Sequence, residues 1–161
     1  PAALPAAEEA AARSLRRMTM KTKFQWRLTP ASSALSAAAV TKSRYADIPA
    51  YVTKDGSEIR ELMHPAVHGN RAQSLAEATV APGARTQLHR HAVTEELYHV
   101  TAGSGLMTLG DACFKVGAGD TVAIAPGTPH RIEATGSEPL RILCCCSPPY
   151  SHEDTELLED A

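Results

Sequence analysis

From Tyr45 onward the chain is cut into short runs by turn residues at even intervals, and that punctuation limits the folds open to it. Residues 48–53 read as a strand, Asp55-Gly56 as a hairpin turn and 58–63 as the return strand. Runs at 75–80, 96–100, 106–109, 113–116, 121–124, 130–134 and 140–146 follow. They are separated by glycine and proline signals such as Pro82-Gly83, Gly110-Asp111, Pro126-Gly127 and Gly136-Ser137. Pro65 biases His64 toward extended backbone, and Gly69-Asn70 marks another turn. No helical pattern interrupts the series. Many short strands divided in this way predict an all-β sandwich or closed barrel.

Chemistry concentrates in one part of the series. His89 and His91 stand two apart, so on a strand both imidazoles leave the same face. After Ala92-Val93-Thr94 the next run carries Glu96, Tyr98 and Val100 on one face. A hairpin between them lets His89, His91 and Glu96 converge. Two imidazoles and a carboxylate suit a borderline divalent ion such as iron, manganese, nickel, cobalt or zinc. His130 is the candidate fourth ligand. Parity extends the site: Arg85 and Gln87 share the face of His89 and His91, and Ile132 that of His130. Arg85, Gln87, Tyr98, Val100 and Ile132 are therefore expected to line a substrate cavity, where the first two would meet a polar or anionic group. Tyr98 is the candidate acid or base. Glu95 and His99 fall on the opposite face, and His64 and His68 in loops.

The spacing Gly83, five residues, His89-x-His91, four residues, Glu96, six residues, Gly103 resembles the first motif of the cupin superfamily. Gly119-Asp120 through Gly127-Thr128-Pro129-His130 resembles the second, with His130 as the last ligand. Two positions depart from the pattern: Ala125 stands where a proline is expected, and Ala134 where an asparagine is. Neither is a ligand position. The resemblance implies a single cupin-type β-barrel, also described as a double-stranded β-helix or jelly roll. It also implies one divalent metal ion held by His89, His91, Glu96 and His130, and association as a homodimer.

Residues 1–40, rich in Ala, Ser and Arg, read as an N-terminal extension preceding a barrel at 41–161. Residues 6–18 suit a helix, with Glu8 and Glu9 near its positive end and three arginines toward its negative end. The acidic pair stands where a secretory signal would be basic. Beyond Pro148-Pro149, Ser151 is expected to cap a short helix in an acidic tail. A net charge of -2 gives no footprint for nucleic acid. No apolar run approaches the roughly 20 residues of a membrane span. The partner expected is therefore a small molecule.

Cys113 and the trio Cys144, Cys145 and Cys146 lack metal or redox spacing. They read as small buried residues kept reduced in a cytoplasm, the alternative being a trio sulfur turned toward the metal. The function these signals imply is a small metal-dependent enzyme acting on an oxygen-bearing organic molecule. Dioxygenase chemistry ranks first, because few acid–base groups share the cavity parity, and isomerisation second. The alternative is a non-catalytic barrel that binds a sugar or organic acid around a structural metal.

Overall fold

The computed structural model describes residues 41–159. A 3-10 turn at Tyr45–Asp47 leads into β1 (Tyr51–Val52), β2 (Glu58–Met63), the short helix α1 (Pro65–His68) and β3 (Ser74–Val80). Then come β4 (His89–His91), β5 (Glu95–Ala102), β6 (Ser104–Leu109), β7 (Ala112–Gly117) and β8 (Thr121–Ile124). The series closes with β9 (His130–Ala134), β10 (Leu140–Ser147) and β11 (Thr155–Leu157). Six strands form one sheet in the order β1-β2-β3-β10-β5-β8, and five form the other in the order β11-β4-β9-β6-β7. Non-consecutive strands neighbour one another in both, and every pair is antiparallel, the arrangement of a jelly-roll barrel.

Period-two alternation builds the interior. On β5 the buried residues are Glu96, Tyr98 and Val100, and on β9 they are His130, Ile132 and Ala134. Across the six-stranded sheet, Ala78, Ile142 and Val100 align in one row, and Ala76, Cys144 and Tyr98 in the next. Met107 pairs with Ile132 on the facing sheet. Val100, Met107, Ile124, Leu140 and Ile142 are all at most 1% exposed. At about 1.5–3 kcal/mol per fully buried aliphatic side chain, this aliphatic cluster holds the two sheets together with few aromatics.

Some local expectations give way to longer-range contacts. The tail after Ser151 is not a helix. Ser151 does cap a turn, its Oγ accepting the Asp154 N–H at 3.1 Å, but the chain then extends as β11. There Thr155 pairs with His91 and Leu157 with His89. The acidic side chain that suggested a helix start, Asp154, instead accepts the Val93 and Thr94 N–H groups at 2.9 and 3.0 Å. His68 ends α1 and His64 caps its start, where loop residues were expected. His64 is extended, as Pro65 requires, and its Nδ1 accepts the Ala66 N–H at 3.1 Å; Gly69 closes the helix at φ 77°. The strand expected at 48–53 contracts to β1, since the Ile48 carbonyl is taken by the Arg60 side chain. The proposed helix at 6–18 lies outside the described residues.

Candidate metal centre

His89 and His130 face each other directly across the β4–β9 register, and His91 lies two residues along β4. Glu96 approaches from β5 in the opposite sheet. One ligand atom from each of these four residues lies within 4.8 Å of the other three, and all four residues are buried. Glu96 Oε2 is 3.2 Å from His91 Nε2 and 3.4 Å from His130 Nε2.

The ring nitrogens turned away from this cluster are all engaged. His89 Nδ1 donates to the Gln87 carbonyl at 2.8 Å, and His130 Nδ1 to the Thr128 carbonyl at 2.9 Å. His91 Nδ1 meets Thr155 Oγ1 at 3.2 Å, and that hydroxyl gives its own proton to the Ser151 carbonyl at 2.8 Å. Thr155 Oγ1 must then accept from His91. All three imidazoles therefore carry the proton on Nδ1, which leaves their Nε2 lone pairs pointing at one spot beside a carboxylate oxygen. Such an assembly repels itself unless positive charge sits among the four atoms.

The neighbouring atoms carry the same signature. His130 Nε2 is buried and has no hydrogen-bond partner. Burial alone would raise the Glu96 carboxyl, and it is hydrogen bonding and positive charge on the His130 and His91 side that bring it down to about 2, so the carboxylate stays ionised there only with positive charge beside it. Burial, then His130, lowers the His89 pKa, favouring the uncharged, metal-binding form. Three imidazoles and one carboxylate are a donor set that fits a first-row divalent ion, so these residues could hold one.

Beside the four lies a cavity of about 50 Å³. That is small against the roughly 150 Å³ of a cavity that admits benzene. Tyr98 and Ile132 line it, as parity predicts, while Val100 lies in the aliphatic core beyond it. Arg85 and Gln87 do not line it. Both are exposed, and Thr86 faces inward in their place, its N–H bonded to the Ile132 carbonyl at 3.0 Å and its Oγ1 accepting the Ile132 N–H at 3.1 Å. Parity fails there because the register against β9 slips by one residue: Arg85 bridges Glu133 whereas His89 pairs with His130, so it is Thr86 that turns inward. His99 points away and meets Thr121 Oγ1 at 2.8 Å.

The cysteine trio bears on the site more than its spacing suggests. Cys144 and Cys146 both line the cavity, while Cys145 faces the other way. Cys146 Sγ donates to Glu96 Oε1 at 3.3 Å. Burial, then the Glu96 charge, pushes the Cys146 thiol up, so it stays a donor. It holds one carboxylate oxygen and leaves Oε2 turned to the imidazoles.

Residues 76–146 match the family described as Cupin domain. The chain is 55% identical over 120 residues to uncharacterized protein MJ1618 of Methanocaldococcus jannaschii, covering 74% of this chain and 96% of that one. Among solved structures, oxalate decarboxylase of Bacillus subtilis superposes with a TM-score of 0.65 at 24% identity, covering 74% of this chain. The chain spans only 32% of that protein's length. The polyketide cyclase RemF of Streptomyces resistomycificus gives 0.64 at 21% identity, over 76% of this chain and 87% of that one. At those identities the two structures share the fold alone. The two-part histidine motif, the jelly roll that closes around it and the match of residues 76–146 to the Cupin domain agree: this chain belongs to the cupin superfamily.

Proposed function

We propose that this chain is a metal-dependent enzyme acting on a compact, oxygen-bearing organic acid. The observation that carries the reading is the convergence of three Nε2 lone pairs and Glu96 Oε2 at the edge of a small cavity. When bound there, a divalent ion supplies a Lewis acid that polarises a carbonyl or lowers the pKa of a hydroxyl. The protein's own groups do the rest. The Gln87 and Thr128 carbonyls and the Thr155 hydroxyl hold the rings in one tautomer, and Cys146 holds the carboxylate. Ile132, Ile142 and Ala78 keep the remaining wall apolar and limit water.

Dioxygenase chemistry was favoured from the sequence because acid–base groups looked scarce. Glu61 and Tyr51 also line the cavity, which removes that ground. Metal-assisted proton transfer, as in an isomerase or a decarboxylase, is the chemistry this lining supports better, and a cavity of this volume favours a substrate of few non-hydrogen atoms. The free thiols suit the reducing cytoplasm expected from the sequence, and pairing into a homodimer belongs to the same reading.

The test is turnover of a panel of small keto, hydroxy and dicarboxylic acids by protein loaded separately with iron, manganese, cobalt, nickel or zinc. Oxygen uptake and carbon dioxide release are followed together. The expected result is metal-dependent conversion without oxygen consumption. Oxygen consumed in step with substrate would restore the dioxygenase reading. Tight binding with no conversion by any metal form would leave a ligand-binding barrel.

A further inference from the structure

Three carboxylates line the cavity: Asp55, Glu61 and Glu96. Two have evident duties. Glu96 belongs to the metal centre, and Asp55 Oδ1 is saturated by the Thr53 hydroxyl and by the N–H and Oγ of Ser57 at 3.1 and 2.8 Å. Glu61 has no such assignment. It sits on β2, on the inward face with Ser57 and Ile59. The row it joins runs through Ala76 to Cys144 and Tyr98, so its nearest strand neighbours offer no charge.

One of its oxygens is held and the other is not. The Tyr51 hydroxyl donates to Glu61 Oε2 at 3.3 Å. Glu61 Oε1 is buried and has no hydrogen-bond partner. A buried, unpaired carboxylate oxygen is costly while it carries charge, and the cost falls when the group is neutral or a ligand supplies a donor.

The other titratable groups around Glu61 cannot take that role as readily. Burial pushes the phenols of Tyr51, Tyr98 and Tyr150 and the thiols of Cys144 and Cys146 upward, so all keep their protons near neutrality. Capping α1, His64 is fully engaged: Nδ1 accepts from Ala66 and Nε2 donates to the Tyr150 carbonyl at 3.1 Å. His68 Nδ1 accepts the His64 N–H at 3.0 Å. For Glu61 itself, burial raises the pKa while His64, Tyr51 and His68 act in the opposite direction, and the net shift is upward.

We propose that Glu61, steadied by Tyr51, is the cavity's proton-carrying group: it takes up one proton when a small oxyanion binds at the centre formed by His89, His91, Glu96 and His130. The balance is simple. One anion and one proton enter together, the Glu61 carboxylate becomes a carboxylic acid, and no bond to carbon is made or broken. The cavity then presents a neutral O–H donor to the ligand instead of a second negative oxygen. This narrows the substrate class to small carboxylates and related oxyanions, and it rests on the metal centre of the proposed function.

Oxalate is a suitable probe, titrated calorimetrically into cobalt-loaded protein in buffers of differing ionisation enthalpy. Near neutral pH the wild type is expected to take up close to one proton per oxalate, and its affinity to fall by up to roughly tenfold per pH unit above the Glu61 pKa. Glu61→Gln is expected to bind cobalt unchanged, to bind oxalate with little pH dependence and to take up almost no proton. Tyr51→Phe removes a hydrogen bond that favours the charged carboxylate, so it is expected to move the wild-type transition to higher pH. Proton uptake absent in the wild type, or equal in Glu61→Gln, would overturn the proposal, as would cobalt-loaded protein that binds no oxalate. Protein that takes up no cobalt would overturn the metal centre itself, and this proposal with it.

Discussion

Changing Glu96 to glutamine is expected to weaken divalent-metal binding by well over the roughly 10–100-fold that loss of an outer-shell partner costs. Glu96 supplies the only negative charge among the four donors, and its Oε2 lies within 3.4 Å of two of the imidazoles. Glutamine keeps the shape but replaces charge with a dipole, and its amide N–H₂ would occupy a lone pair that the metal needs. Cys146→Ala should fall within the 10–100-fold range itself, because it frees Oε1 without touching a donor to the metal. Cys146→Ser should recover part of that loss. Competition against a chromophoric chelator measures all three. Wild-type affinity in Glu96→Gln would contradict the assignment of this carboxylate.

Gly103→Ala is expected to be the most damaging single-methyl change for stability. Gly103 sits at φ +80°, and a Cβ there would lie 2.6 Å from the Pro139 carbonyl oxygen and 2.9 Å from Leu140 Cα. Both are backbone atoms at the entry to β10, and Leu140 is completely buried, so the neighbours cannot give way cheaply. Left-handed backbone costs alanine about 1–2 kcal/mol, and overpacking typically about 1–3 more. About 3 kcal/mol in total is a large part of the roughly 5–15 kcal/mol that holds a domain folded. Gly56→Ala separates the two contributions: its φ is +88° but nothing lies within 4 Å of the added methyl. It should lose only about 1–2 kcal/mol. Denaturant unfolding of both variants checks this, and equal losses would mean that the contact with Pro139 carries no cost. The glycine that closes the first motif thus has a packing reason as well as a conformational one.

What could be read from residues alone was whatever depends on period two along a formed ladder. The runs 58–63 and 130–134 coincide with β2 and β9, and the shared faces of His89 with His91 and of Glu96 with Tyr98 hold in the fold. Arg85 and Gln87 were misplaced by carrying the same parity upstream, past the point where β4 begins. The tail was misread because Ser151 and the acids after it look locally like a helix start, whereas pairing with β4 decides the outcome. That pairing spans more than sixty residues of chain, as the Thr155–His91 contact at a separation of 64 shows, and no local pattern encodes it. Two signals in the residues say more than turn punctuation: Pro65 and Gly69 bracket one helical turn, and Glu61 shares the inward parity of Ile59 on β2.

The central claim is that three imidazoles and one carboxylate hold a single cation with a thiol held just outside its reach. X-ray absorption at the metal edge, on protein carrying its metal, tests this most directly. The account predicts one metal per chain, a first shell of nitrogen and oxygen with the outer-shell scattering of imidazole rings, and no sulfur at the roughly 2.3 Å expected of a metal–thiolate bond. A sulfur scatterer at that distance, a shell without imidazole, or protein that retains no metal would contradict it.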